Sequence, residues 1–112
     1  MAIPKKKLEK DIQREICEEL DKKGYLFWRS NNIPVFGKNN GGKMTFRAMP
    51  KYTPKGLPDI MLVFKGQFFA LEVKRPGEKL RPDQAKYRDS LEKHGGIYYT
   101  IHDKAELPIL GF

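Results

Sequence analysis

The sequence predicts an α/β domain with the element order α-β-β-β-α-β, and three observations carry that reading. Leu8, Ile12, Ile16 and Leu20 recur every fourth residue, the period of one helix face. Two runs rich in β-branched, aromatic and aliphatic residues, 58–64 and 68–74, flank Lys65-Gly66-Gln67 and read as a β-hairpin. A second helical stretch, 81–94, has Pro82 in its first turn and Gly95 beyond its end, and the strand-like Ile97–Ile101 follows it.

Taken in order, the first helix spans residues 5–23, with Gly24 at the position after the helix where positive φ is wanted. Projection at about 100° per residue puts Glu9 inside the apolar arc, between Ile16 and Leu20. Glu19 also falls in the arc, whereas Glu15 and Glu18 point away. Residues 25–29, Tyr-Leu-Phe-Trp-Arg, form the first strand. The long stretch 30–56 holds two Asn pairs, a Gly pair and three prolines, and residues 43–49 are a candidate short strand. Connections this long in a small domain are usually functional or mobile. Lys38, Lys43, Arg47, Lys51 and Lys55, interleaved with Phe36, Phe46 and Tyr52, suit a surface facing nucleic acid: basic groups for phosphates, rings for stacking. The bland alternative is an exposed insertion with ordinary solvated lysines. Arg75 and Lys79, in the turn after the hairpin, join the DNA-facing set. Residues 104–112 form a tail that packs through Leu107, Ile109, Leu110 and Phe112.

With 22 Lys+Arg against 14 Asp+Glu, the formal charge is +8 and the pI about 9.6. That balance favours a polyanionic partner. The basic residues are spread along the chain rather than gathered on one amphipathic helix, which favours nucleic acid over a membrane surface. Cys17 is the single cysteine, which excludes a disulfide framework and a zinc ribbon. The basic start of the chain lacks the apolar stretch of a signal peptide, and the longest apolar runs are strand-sized. The expectation is an intracellular, cytoplasmic protein.

The chemistry sits on the hairpin. A turn at Lys65-Gly66 makes Phe64 face Gln67 and Asp59 face Glu72. Alternation then places Asp59, Glu72 and Lys74 on one face. Two carboxylates directly opposite repel each other, and a shared hard cation relieves that repulsion; one or two carboxylates is the usual protein share of a Mg²⁺ site. Simple ion pairs on a solvated face are the rival explanation. They leave unexplained the apolar floor of Met61, Val63, Phe68 and Ala70 that leads to this charged end. On the second helix Gln84 shares a face with Tyr87, Arg88 and Leu91 and points to the sheet near Lys74. Cys17 has no activating His pattern, and neither a Walker glycine loop nor a zinc-protease spacing is present.

The element order, with Pro58-Asp59 opening one strand and Glu72-Val73-Lys74 ending the next, resembles the PD-(D/E)XK nuclease superfamily. It resembles more closely the VRR-NUC family of stand-alone, largely phage and bacterial nucleases. The matching features are Leu8 to Gln13 in the first helix, Gly56-Leu57-Pro58-Asp59, Glu72-Val73-Lys74 and Gln84. The resemblance implies a restriction-endonuclease-like αβββαβ core, a central mixed four-stranded sheet flanked by helices. Residues 1–112 then form a single nuclease domain, with 30–56 a DNA-facing insertion. It also implies Mg²⁺ or Mn²⁺ held by Asp59, Glu72 and the backbone carbonyl of Val73, with Glu9 reaching the metal through water. Lys74 positions the attacking water or steadies the developing oxyanion, and Gln84 orients Lys74 or a phosphate oxygen. The implied activity is a Mg²⁺-dependent endodeoxyribonuclease, a homodimeric Holliday junction resolvase. The alternatives are a nuclease for flap or duplex DNA and a non-catalytic DNA-binding module of the same fold. For the dimer, Tyr25, Phe27, Trp28, Phe36, Phe46 and the tail ending in Phe112 are candidate spare apolar groups.

Overall fold

The computed structural model describes residues 7–30, 35–38, 41, 44–47 and 51–112, and for 35–38 and 44–47 the backbone alone. The elements are α1 (Glu9–Lys22), β1 (Leu26–Arg29), β2 (Val35–Lys38), β3 (Met44–Arg47), β4 (Ile60–Phe64), β5 (Gln67–Val73), α2 (Pro82–Lys93) and β6 (Ile97–Ile101). A 3₁₀ turn, Lys104–Glu106, and one helical turn, α3 (Leu107–Leu110), close the chain. The four-stranded sheet has the order β1-β4-β5-β6 and is mixed: β4 runs antiparallel to β1 and β5, and β6 is parallel to β5. The expected αβββαβ core is therefore present. A separate antiparallel hairpin, β2–β3, lies within the long connection, where a strand at 43–49 was anticipated and one at Val35–Lys38 was not.

The β4–β5 hairpin has the register read from the sequence, Ile60 opposite Leu71 and Phe64 opposite Gln67. Lys65 (φ 50°) and Gly66 (φ 77°) both take left-handed angles, the requirement of a two-residue type I′ turn. Alternation sends Ile60, Leu62, Phe69, Leu71 and Val73 to one face, where they form the core with Ile12, Ile16 and Leu20 of α1. Ile16 and Leu20 are fully buried, and truncating either to Ala removes roughly 2–5 kcal/mol. Leu107 and Phe112 complete this layer; the Phe112 ring meets Tyr25, Phe64, Phe69 and Tyr99, mostly edge to face. The opposite face carries α2, whose Leu91 side chain fills the space over Gly96 at the start of β6.

Three sequence expectations change. Leu8 is the N-cap of α1 in extended conformation and 49% exposed, so the buried stripe begins at Ile12. The cause is the helix start: a residue outside the first turn no longer follows the helical period. Ile109 points away from the core at 82% exposure, because a single helical turn can bury only one side. Tyr25, Phe27 and Phe112 pack on or in the core and are not spare for a partner, since each lies on the α1 side of the sheet. Trp28 and Leu26, one residue out of phase, are the exposed apolar side chains of β1. Phe36 and Phe46 lie outside the described side chains.

Candidate active site

Asp59 stands one residue before β4, at the end of the strand pair nearest α1 and α2. Pro58 ahead of it is fully buried, and the segment is tied down from two sides. The Ser30 hydroxyl donates to the Pro58 carbonyl and the Ser30 N–H to the Asp59 carbonyl at 3.0 Å; the Gln13 amide reaches the same carbonyl at 3.5 Å. The Asp59 side chain then accepts the Val73 N–H at Oδ2, 2.8 Å, in place of a ladder partner. Extending the β4–β5 register by one residue sets Asp59 opposite Glu72. Glu72 and Lys74 are buried, 3% and 5% exposed, on the face opposite the core. The Lys74 N–H bonds Ile101 O at 3.0 Å and so carries the parallel pairing past Val73.

The fourth member comes from α2. Gln84 is buried in the first turn, where its side-chain carbonyl accepts the Arg81 N–H at 2.9 Å and its amide donates to Glu72 Oε1 at 2.7 Å. Gln84 therefore orients Glu72, where the sequence reading had it orient Lys74 or a phosphate. Gly56 fixes how close α2 comes. Its φ is +72°, and a Cβ there would lie 2.3 Å from the Asp83 carbonyl oxygen and 2.8 Å from the Gln84 nitrogen. The Gly-Leu-Pro-Asp run is thus a docking surface for the α2 N-terminus as well as the lead-in to Asp59.

The electrostatics of this cluster follow from burial. Burial first, and the Asp59 charge second, push the Glu72 carboxyl up to about 8, with Lys74 opposing. Burial also raises Asp59, opposed by the Val73 N–H bond, by proton sharing with Glu72 and by the charges of Lys74 and Arg81. Glu72 Oε2 is buried with no hydrogen-bond partner. Glu9 is the first residue of α1 and is exposed, the helix start carrying this position of the apolar arc out to solvent. Partial burial and the neighbouring Glu78 raise it, while Lys74 lowers it and Asp59 raises it further, which places Glu9 within electrostatic reach of both. Glu78 is itself lowered, first by its bond to Arg75.

Asp59, Glu72, Lys74 and Gln84 thus converge, with Val73 between two of them. Of the residues expected to face DNA, Lys51, Lys55 and Lys79 are exposed, and Arg75 is half-buried in an ion pair with Glu78 at 2.8 Å. Lys43 and the side chains of Lys38 and Arg47 lie outside the described residues. Sequence reasoning missed Ser30, Gln13, Arg81, Glu78 and Tyr98. Gln13 carried a signal, since it sits at the edge of the α1 arc; the others have none in a single sequence. A cavity of about 630 Å³ opens beside Lys7, Ile12, Arg75 and His102, and neither Asp59 nor Glu72 lines it.

Among the described residues no group of three or more His, Cys, Asp or Glu side chains is placed to hold a metal ion. Two carboxylates with a backbone carbonyl are nonetheless the hard-oxygen donor set that Mg²⁺ takes, the remaining positions going to water and substrate. The donorless Glu72 Oε2 and the proton-sharing pair fit that group. Removing the proton and adding a cation satisfies both atoms at once.

The model of the VRR-NUC domain family matches residues 7–104. A solved structure described as a VRR_NUC domain superposes with a TM-score of 0.61 at 18% identity, covering 91% of each chain, and is similar in fold. No curated protein matches the chain. No helix among the described residues is long and apolar enough to cross a membrane.

Proposed function

The chain belongs to the VRR-NUC domain family, a nuclease-type fold, and we propose that it is a Mg²⁺-dependent endodeoxyribonuclease acting on branched DNA as a homodimer. One observation carries the catalytic part. The buried Glu72 lies beside the half-buried Asp59 with an oxygen of Glu72 left without a partner, an arrangement that costs stability unless a cation relieves it. A DNA-binding module without catalysis has no use for it.

Asp59, Glu72 and the Val73 carbonyl would hold Mg²⁺ or Mn²⁺, with Glu9 acting from the rim through water. When bound, the cation supplies a water of lowered pKa and charge neutralisation at the phosphate. Gln84 keeps Glu72 Oε1 fixed so that its second oxygen faces the site. Lys74, on the same face as the two carboxylates, steadies the oxyanion that develops on the phosphate. The net charge of +8 would draw the polyanion in, and the exposed Lys51, Lys55 and Lys79 are available to meet its phosphates.

The branched substrate and the dimer support each other. A four-way junction has near two-fold symmetry and needs nicks on two opposed strands, which a C₂ pair of sites provides. Leu26 and Trp28, 65% and 43% exposed on the edge strand β1, are among the exposed apolar groups of the described residues and would offer a partner copy a patch. Labelled junction, flap, duplex and single-stranded DNA, each with Mg²⁺ and with EDTA, test the assignment. Paired nicks in the junction alone, in Mg²⁺ alone, are the expected result. Equal cutting of plain duplex rejects the junction assignment, and binding without cutting of any substrate rejects catalysis.

A further inference from the structure

Two buried side-chain polar atoms among the described residues lack a hydrogen-bond partner, Glu72 Oε2 and the Tyr98 hydroxyl. They are neighbours. Tyr98 pairs with Ala70 in the parallel β5–β6 register, and Glu72 is two residues beyond Ala70, so both side chains rise on the α2 face of adjacent strands. The Tyr98 ring is 8% exposed. Burial first, then the negative charges of Glu72 and Asp59, hold its phenol above the ordinary value, so the group stays protonated and serves as a donor. The Glu72 carboxyl lies close enough to raise the phenol both by its charge and by hydrogen-bond proximity, although neither Glu72 Oε2 nor the Tyr98 hydroxyl has a partner in full hydrogen-bond geometry.

A buried hydroxyl with no partner costs roughly 1–3 kcal/mol, and a phenylalanine would fill the same core position without that cost. The Gln84 amide already serves Glu72 Oε1, nothing serves Oε2, and the neighbouring Tyr98 hydroxyl is the other unpartnered group on this face.

We infer that Tyr98 is a positioning residue for Glu72: its hydroxyl donates to the Glu72 carboxylate when that carboxylate holds a divalent cation. With the Gln84 amide it forms a two-donor clamp, one donor from α2 and one from β6, that aims Glu72. The inference rests on the proposed cation site. Partners of this kind behind a ligating carboxylate set metal affinity by roughly 10- to 100-fold.

The test is a calorimetric titration of Mn²⁺ into Tyr98→Phe, Glu72→Gln and the wild type without DNA, beside thermal melts in EDTA. Tyr98→Phe is expected to bind Mn²⁺ about tenfold more weakly than the wild type while melting in EDTA at the same temperature or higher. Mn²⁺ affinity within twofold of the wild type overturns the inference. So does a clear drop of the EDTA melting temperature, which would mean that the hydroxyl is a structural bond of the cation-free protein. Failure of the cation site itself reads differently: the wild type binds no Mn²⁺, or Glu72→Gln binds it as tightly as the wild type.

Discussion

Replacing Glu72 with Gln should remove a pH dependence of stability that the wild type carries in EDTA. The native carboxyl is raised to about 8 from an ordinary 4.5, chiefly by burial and then by the Asp59 charge. Between those values the native protein keeps a proton that the unfolded chain releases. The contribution is therefore fully present below about 4.5 and is lost as pH rises towards 8. Each pH unit in that window is worth about 1.4 kcal/mol, so going from pH 5 to 7 should lower the wild-type unfolding free energy by on the order of 3 kcal/mol. Glutamine is neutral throughout and keeps an oxygen for the Gln84 amide and an N–H for Asp59. The variant's slope should be less than half that of the wild type, and at pH 7 it should be the more stable protein. Urea unfolding at pH 5, 6, 7 and 8 in EDTA measures both slopes. A wild-type curve flat from pH 5 to 7, or a variant with the same slope as the wild type, refutes the buried, proton-sharing pair.

Other perturbations test the supports of the site. Gly56→Ala combines positive φ with a Cβ driven into the Asp83 carbonyl; it should cost roughly 1–3 kcal/mol in thermal unfolding and depress activity by pulling Gln84 from Glu72. Unchanged stability would mean that α2 is not docked there. Glu9→Gln should raise the Mg²⁺ requirement about tenfold, whereas Glu19→Gln, at the far end of α1, should leave it alone. The reverse result would place the wrong glutamate at the site. Changing Lys43, Arg47 and Lys51 together to Ala should flatten the slope of log affinity against log salt by about 2 to 3, and an intact slope relegates the segment to an exposed insertion.

How much of this was legible varies by residue. The hairpin register was readable because Lys65-Gly66 suits only a tight primed turn and because apolar alternation pins each strand to one face. The ends of α2 were readable from Pro82 and Gly95. The start of α1 was not, since periodicity alone admits Leu8 to the stripe and the N-cap carries no side-chain bond to announce it. The strand Val35–Lys38 escaped because it is four residues long with a glycine inside. At the site, Asp59, Glu72 and Lys74 are linked by strand spacing, which a sequence displays. Glu78 beside Glu9, and Tyr98 beside Glu72, are brought together by the turn after β5 and by the parallel crossover. A Tyr in an apolar strand reads as core, and its orphaned hydroxyl exists only in three dimensions.

The central claim is that Asp59, Glu72 and Lys74 form a metal-dependent phosphodiesterase site. Single-turnover cleavage of a labelled four-way junction by the wild type, Asp59→Ala and Lys74→Ala, in Mg²⁺ and in EDTA, tests it most directly. The account predicts cleavage by the wild type in Mg²⁺, none in EDTA, and rates lower by about a hundredfold or more in both folded variants. Full activity of Asp59→Ala in Mg²⁺, or undiminished wild-type cleavage in EDTA, contradicts it.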